Sequence, residues 1–349
     1  MSSLDLGGES PYAAPQPSDS MASLPPGDGP VLCTVISTEE EFDWSKSFDP
    51  QATKVEAAQY IGRAQEMFDD SGVRPVYVVD YPIASSESAF PYFREIEEAG
   101  RCEIGAHLHP WVTPPVEEEI GLSNSFPGNL PQELERAKLE SLFAEIERNF
   151  GRRPSSYQAG RYGFGTRTAG LLREGGIDVD FSASAAFDFS FEGGPDFSQL
   201  TSETAWGGPD GRLLCVPVSG AYLGRLGSLA PHAHRISTAL TWARVPGVLA
   251  RMGVVERLRL SPEGYDLNDL QRLTRWLFER GVRIFVFSFH SPSVLPGCTP
   301  YVRDAAELKA FLGKCSAFYS FFFNELGGRS MTGRELHAHL SSQGAARAI

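Results

Sequence analysis

The sequence has little of what marks several protein classes. Its five cysteines are scattered and form no CxxC pair, so neither a disulfide framework nor a thiolate metal site is predicted. Basic residues number 31 against 44 acidic ones, and the net charge of −13 argues against nucleic acid or an anionic membrane as the main partner. No apolar run reaches membrane-spanning length, and no GxGxxG follows the first strand pattern, which excludes the common dinucleotide motif.

The N-terminal segment also lacks the signature of a secretory signal. Residues 1–29 are rich in Ser, Pro and Gly and have no basic stretch followed by a long apolar run. We therefore expect a flexible leader and a cytoplasmic protein. The chain is then predicted to contain one domain over residues 30–326 and a tail with one short helix over residues 327–349.

Apolar, β-branched runs alternate with helical patterns along most of the chain. The run VLCTVIS begins at Val31, and LPQELERAKLESLFAEIERNFG is a long amphipathic helix pattern. Such alternation predicts an α/β fold with parallel strands joined by helices. The number of units, about seven, favours a (β/α) barrel over an open doubly wound sheet. The Gly- and Pro-rich stretch 187–229 is predicted to be an irregular insertion.

Histidine is scarce, yet three of the seven histidines follow predicted strands. Functional residues of α/β barrels lie at the carboxyl ends of the strands. His107 and His109 in GAHLHPW are two residues apart, so both can face the barrel axis and bind a divalent ion such as zinc. The run of glutamates after the first strand offers a carboxylate ligand. His290, after the last strand, is then free to act as an acid or a base.

Each of these features also has an ordinary structural explanation. A lone His–x–His pair is more often incidental than a ligand pair, and the pairs within 232–234 and 337–339 follow no strand. A run of glutamates usually forms a solvated surface. Here the run connects an apolar strand to Phe42 and Trp44, which is less usual for a solvated surface.

Four stretches in chain order together resemble a known family: TVISTEEEFDW, EIGAHLHPW, YQAGRYGFG and FVFSFHSPSVLPGCTPYVRD. The sequence resembles the polysaccharide deacetylase superfamily (NodB-like, carbohydrate esterase family 4) over residues 31–326. It looks closest to the WalW-type branch, found in bacterial surface-polysaccharide gene clusters. The resemblance implies a deformed (β/α)7 barrel and hydrolysis of an N-acetyl group on an amino sugar. It also implies a divalent metal, held by one carboxylate and two histidines.

The resemblance assigns roles to individual positions of this chain. His107 and His109 are the metal histidines, and Glu39 is the metal carboxylate. His290 is the acid that protonates the leaving amine, and Arg161 orients the catalytic base. The implied substrate is an acetylated amino sugar or oligosaccharide, and the oligomeric state is left open.

The sequence departs from the family pattern where the base is expected. Position 37 is Ser37, and a serine hydroxyl cannot act as a general base near neutral pH without an activator. Glu40, Asp43 or Asp80 then takes the role, or the site hydrolyses poorly. The two histidines are also closer than the family's H-x-x-x-H, and the last strand reads Phe-His-Ser where Leu-His-Asp is common.

Two alternatives to a deacetylase stay open, and the first of them follows from the serine at position 37. The first is a catalytically impaired, deacetylase-like carbohydrate-binding protein. The second is a hydrolase of the same fold that acts on a C–N bond of a non-peptide amide. In each of these, Trp44, Trp111 and Tyr162 are predicted to stack on the ligand.

Overall fold

A curled parallel sheet is the frame of the fold. The computed structural model describes residues 12, 21–42, 46–224 and 254–347. The strands are β1 (Val31–Thr38), β2 (Val76–Val79), β3 (Glu103–Leu108), β4 (Ser156–Ala159), β5 (Val179–Asp180), β6 (Ala205–Gly207), β7 (Leu213–Cys215), β8 (Gly220–Leu223), β9 (Glu256–Arg259), β10 (Ile284–His290) and β11 (Arg329–Ser330). The main sheet runs β10-β1-β2-β3-β4-β5-β7-β6, and β11 pairs with β1. Only β6, at one edge, is antiparallel to its neighbour in this sheet.

Helices cover the outer face of this sheet and the amino end of the barrel. They are α1 (Gly62–Asp70), α2 (Tyr81–Ser85), α3 (Phe90–Glu98), α4 (Gln132–Phe150), α5 (Thr168–Glu174), α6 (Leu267–Glu279), α7 (Ala305–Asn324) and α8 (Gly333–Arg347). Local chemistry sets several of their ends. The Asp304 side chain accepts the amide hydrogens of Ala306 and Glu307 at the start of α7. Gly151, at φ 75°, takes the left-handed conformation that ends α4.

The antiparallel pair β8–β9 closes the open side of the sheet. The Val218 amide donates to Ala183 O (2.8 Å), next to β5, and the Ser219 amide donates to Val286 O in β10 (3.3 Å). The Ser288 amide of β10 in turn donates to Leu260 O (3.1 Å), directly after β9. These bonds link the two ends of the main sheet into a barrel.

Alternate residues of the strands fill the inside of the barrel. Val31, Cys33 and Val35 of β1 belong to one buried apolar cluster, whereas Leu32 and Ile36 belong to the cluster under the outer helices. All eight residues of β1 are buried, as expected for a strand covered on both faces. The inner apolar layer ends at Ser37, so polar side chains begin at the carboxyl end of the strands.

The predicted α/β barrel in a single domain is confirmed. The C-terminal segment differs from the expected tail, because β11 extends the sheet and Leu336 and Leu340 of α8 join the inner cluster at the amino end of the barrel. In the segment predicted to be a leader, Leu24 is buried and Met21 pairs with Ala205. The helix expected near 237–252 lies outside the described residues. In the described part of the chain, no helix combines the length and apolarity needed to cross a bilayer.

We expect Leu336→Ala to lower the free energy of unfolding by about 2–5 kcal/mol, the usual cost of a cavity at a fully buried leucine. Leu122→Ala is the matched control, because the Leu122 side chain is 50% exposed and its loss should cost less than about 0.5 kcal/mol. Equilibrium denaturation in urea measures both variants. Equal stability of Leu336→Ala and wild type would show that α8 does not close the barrel.

Candidate active site

Three buried side chains converge at the carboxyl ends of β1 and β3. Glu39 Oε2 lies 3.3 Å from His107 Nε2 and 3.5 Å from His109 Nε2. The donor atoms of the three residues lie within 4.8 Å of one another. Glu39 is two residues beyond the inward-facing Ser37, and His109 is two beyond His107, so strand alternation delivers all of them to the same side.

Hydrogen bonds behind the two rings fix their tautomers. His107 Nδ1 lies 2.8 Å from the carbonyl oxygen of Gln158, and His109 Nδ1 lies 2.8 Å from Glu40 Oε2. A carbonyl and a carboxylate accept hydrogen bonds, so each Nδ1 carries the hydrogen. Both neutral rings therefore present the Nε2 lone pair towards Glu39. This arrangement, with an acceptor behind each ligand histidine, is typical of metal sites and fits a bound divalent cation.

The protonation states also suit a cation. Burial lowers the pKa of His107 and of His109. Burial alone would raise the pKa of Glu39, but the neighbouring His290 and His107 outweigh it and lower that pKa to about 2. The three groups are thus two neutral imidazoles and one carboxylate at neutral pH, the forms in which these side chains bind metals.

Glu40 lies behind His109 and does not reach the open side of the cluster. Its Oε1 accepts a hydrogen bond from Trp111 Nε1 (2.8 Å) and its Oε2 accepts the one from His109. Its backbone amide donates to Asp80 Oδ2 (2.7 Å), whose other carboxylate oxygen accepts from the Ile83 amide at the start of α2. These contacts of Glu40 position His109. The sequence had instead suggested Glu40 as a candidate general base.

Trp111 is not exposed to a ligand, contrary to the expectation from sequence. The side chain is 1% exposed, and its ring stacks on His109 with a centroid distance of 4.3 Å and an interplanar angle of 23°. It supports the histidine from behind, next to Glu40. Of the other two predicted aromatic residues, Tyr162 borders the cavity described below, and Trp44 lies outside the described residues.

Ser37 is bonded to an amide. Its Oγ donates to Gln158 Oε1 (2.8 Å), and Gln158 Nε2 donates to Phe181 O (3.2 Å). An amide oxygen does not take up a proton at neutral pH, so this contact does not activate the serine hydroxyl. Ser37 stands opposite His290 in the pairing of β1 with β10. Position 37, where a base is expected, therefore holds no basic group.

His290 forms a charged pair with Glu263, a residue that sequence reasoning missed. Its Nδ1 lies 2.7 Å from Glu263 Oε2, and its backbone amide donates to Glu263 Oε1 (3.1 Å). Ser293 Oγ donates to the same Oε1 (2.6 Å). Burial opposes the charged ring, but Glu263 and Glu39 outweigh it and raise the pKa of His290 to about 10. The ring is thus a proton donor at neutral pH.

Arg161 binds the insertion of the barrel. It follows β4 with φ 53°, its Nη2 forms an ion pair with Glu192, and its Nη1 donates to Ser125 Oγ. The guanidinium carbon lies 4.1 Å from the ring centroid of Phe126. The resemblance gave Arg161 the task of orienting an aspartate at position 37. Here that position is a serine, and Arg161 forms an ion pair with Glu192.

Gly160 lets β4 approach His109 closely. A Cβ atom at position 160 would lie 2.5 Å from His109 Cδ2 and 2.4 Å from Leu108 O. Any larger residue would displace the histidine ring. The glycine before Arg161 thus belongs to the site through its lack of a side chain.

One cavity connects these groups at the mouth of the barrel. The side chains that border it combine the predicted metal ligands, the acid and a polar and aromatic rim: Ser37, Glu39, His107, His109, Phe126, Gln158, Arg161, Tyr162, Phe189, Glu192, Arg259 and His290. The structure therefore brings together Ser37, Glu39, Arg161 and the three histidines predicted from sequence. It adds Glu263, whose signal was a carboxylate in SPEG directly after β9.

Comparison with known proteins supports the fold. No family model and no curated protein matches the sequence. Among solved structures, a candidate polysaccharide deacetylase from Mycobacterium smegmatis is 17% identical with a TM-score of 0.54, over 93% of this chain and 94% of that chain. Puue allantoinase is 13% identical with a TM-score of 0.52, over 91% of this chain and 92% of that chain. At these identities the similarity establishes the shared barrel fold.

We expect three adjacent glutamates to differ in their effect on zinc affinity. Glu39→Gln removes a ligand charge and should abolish measurable binding, and Glu40→Gln should weaken it about 10- to 100-fold, the usual effect of losing a partner behind a ligand. Glu41→Gln is the control, because Glu41 instead binds Lys54 and the Ala57 amide. Isothermal titration with zinc measures all three. A wild-type protein that binds no divalent cation, or equal losses in all three variants, would contradict the assignment.

We expect the pKa of His290 to fall from about 10 towards the ordinary value of 6.5 in Glu263→Gln. The raised pKa means that protonated His290 stabilises the folded protein below pH 6.5, and that this contribution disappears as the pH rises through about 10. Histidine NMR titration checks the shift, with Glu256→Gln, which removes a carboxylate bound to Arg272, as the control. An unchanged titration in Glu263→Gln would rule out the charged pair.

Proposed function

We propose that this protein is a divalent-metal-dependent hydrolase that removes an N-acetyl group from an amino sugar. The observation that carries the proposal is that Glu39, His107 and His109 open into the same cavity as His290. A ligand set for a Lewis acid and a proton donor then face one substrate. Such a pair suits the hydrolysis of an unactivated amide, whose carbonyl must be polarised and whose nitrogen must be protonated to leave.

Each residue of the site has its own role in the proposed hydrolysis. Glu39, His107 and His109 would hold the cation, which when bound would polarise the acyl carbonyl and acidify the attacking water. Glu263 keeps His290 protonated, and His290 gives its proton to the sugar nitrogen as the C–N bond breaks. The water supplies the second oxygen of the acetate product, its protons pass to solvent because position 37 holds no base, and His290 regains a proton from solvent. Tyr162 borders the cavity, is partly exposed and offers a face for the sugar ring.

A carbohydrate-binding protein of the same fold is the second candidate. The hydrogen bond of Ser37 to the Gln158 amide favours it, because no group at position 37 takes the proton of the water. A positioned base contributes about 10²- to 10⁴-fold to rate, so hydrolysis without one is expected to be slow. The third candidate, a metal-free hydrolase of another amide, does not explain why two histidines and a glutamate present lone pairs to one another.

Further details rest on the resemblance of the sequence motifs. We propose zinc as the cation, because two imidazoles and a carboxylate with a free position suit catalytic zinc. We also propose the cytoplasm as the location, the WalW-type branch as the subfamily and surface-polysaccharide metabolism as the process. Metal analysis of the purified protein and fractionation of the source cell test the first two.

Substitution at Ser37 distinguishes the first two candidates. We expect zinc-loaded wild type to release acetate slowly from N-acetylated chito-oligosaccharides and Ser37→Asp to release it about 10²- to 10⁴-fold faster, because the variant restores a base. Ser37→Asn is the control with a side chain of the same shape and no charge, and it should not accelerate the reaction. Acetate release measured with a coupled assay gives the rates.

Other outcomes of the Ser37 substitution experiment support different candidates. An inactive wild type with an active Ser37→Asp variant would support the carbohydrate-binding candidate. A wild type faster than Ser37→Asp would show that the serine belongs to a working, rearranged site. If neither protein releases acetate with zinc, cobalt or manganese, the deacetylase proposal is wrong.

A further inference from the structure

Arg259 borders the cavity beside the candidate metal ligands. It is the last residue of β9, and aromatic rings hold its guanidinium in place. The guanidinium carbon lies 3.8 Å from the ring centroid of Phe187 and 4.9 Å from that of Tyr162. Its Nη1 also donates to the Tyr162 hydroxyl (3.1 Å). The side chain is thus fixed at the cavity wall and does not extend freely into solvent.

The other positively charged side chains that border the cavity are already paired. Arg161 is paired with Glu192, and His290 is paired with Glu263. Glu39 faces His107 and His109. Within the described ranges, Arg259 takes part in no ion pair, and its buried Nε has no hydrogen-bond acceptor. The aromatic rings attract the guanidinium through their π faces, but they provide no anionic partner for its charge.

We propose that Arg259 binds an anionic group of the substrate, a carboxylate or a phosphate. The substrate is then an acidic N-acylated amino sugar, with its acyl group at the metal ligands and its acid at Arg259. A guanidinium offers several hydrogens in one plane and so matches the paired oxygens of these two groups. The sugar part of this inference rests on the proposed function, and the anionic part rests on the surroundings of Arg259.

Arg257 on the same strand is a matched control for Arg259. It lies two residues before Arg259, and its guanidinium carbon is 4.0 Å from the centroid of the same Phe187 ring. Unlike Arg259, it is not among the residues that border the cavity. A substitution at Arg257 therefore removes the same charge and the same kind of ring contact without touching the proposed anion site.

The test is a binding series in which only one substituent changes. The probes are N-acetylglucosamine, 2-acetamido-2-deoxyglucuronic acid and N-acetylglucosamine 6-phosphate, which carry a hydroxyl, a carboxylate and a phosphate at the same end of the sugar. Isothermal titration measures their affinity for zinc-loaded protein. We expect at least one acidic sugar to bind about 10- to 100-fold tighter than the neutral one, the size of hydrogen bonds to a charged group. The tighter acid identifies the group that Arg259 recognises.

Variants of Arg259 and Arg257 show which residue is responsible for the preference for acidic sugars. Arg259→Met should abolish it, Arg259→Lys should retain part of it because the charge remains, and Arg257→Met should leave it unchanged. Thermal denaturation confirms that each variant is folded. Equal affinity of wild type for the three sugars, or the same loss in Arg257→Met as in Arg259→Met, would overturn the inference.

Acetate release from the same three sugars separates this inference from the proposed function. Arg259-dependent binding of an acidic sugar without acetate release under any metal contradicts the hydrolysis and supports the anion site. Equal acetate release from acidic and neutral sugars contradicts the anion site and supports the hydrolysis.

Discussion

The hydrogen bonds behind His107 and His109 are the constraint on which the site depends. The Gln158 carbonyl and the Glu40 carboxylate each hold one Nδ1 hydrogen, so both Nε2 lone pairs must turn towards Glu39. Three electron-rich groups within 4.8 Å repel one another unless a cation lies among them. The surrounding structure makes this arrangement rigid, because Trp111 packs on one histidine and Gly160 allows β4 to approach the same ring.

Ser37 and Gln158 connect this centre to the question of catalysis. Gln158 serves both parts of the site: its backbone carbonyl orients His107, and its side chain binds Ser37. The serine hydroxyl donates a hydrogen bond to that amide oxygen. A carboxylate at position 37 would face the same oxygen and be repelled by it unless the amide group rotated. The absence of a base at position 37 is therefore accompanied by a matching arrangement of the neighbouring Gln158 amide.

Two ion pairs lie around the cavity beside the candidate metal ligands. Arg161 is bound by Glu192 from the insertion, and Glu263 from the segment after β9 keeps His290 charged. Both partners come from parts of the chain that the strand motifs do not include. These two ion pairs leave Arg259 as the cationic side chain at the cavity wall that has no carboxylate partner among the described residues.

The sequence by itself determined the barrel and pointed to the candidate metal ligands, because strand alternation and strand ends are local properties. VLCTVIS predicts a doubly covered strand, and the spacing of His107 and His109 predicts a shared face. The sequence could not decide whether Glu39 or Glu40 faces the histidines, since adjacent residues point to opposite sides only where the strand continues. It also predicted that Trp111 stacks on a ligand, although the fold buries that side chain. Only the tertiary structure supplied Glu263, the amide partner of Ser37 and the place of Arg259 at the cavity wall, because each depends on contacts between residues far apart in the chain.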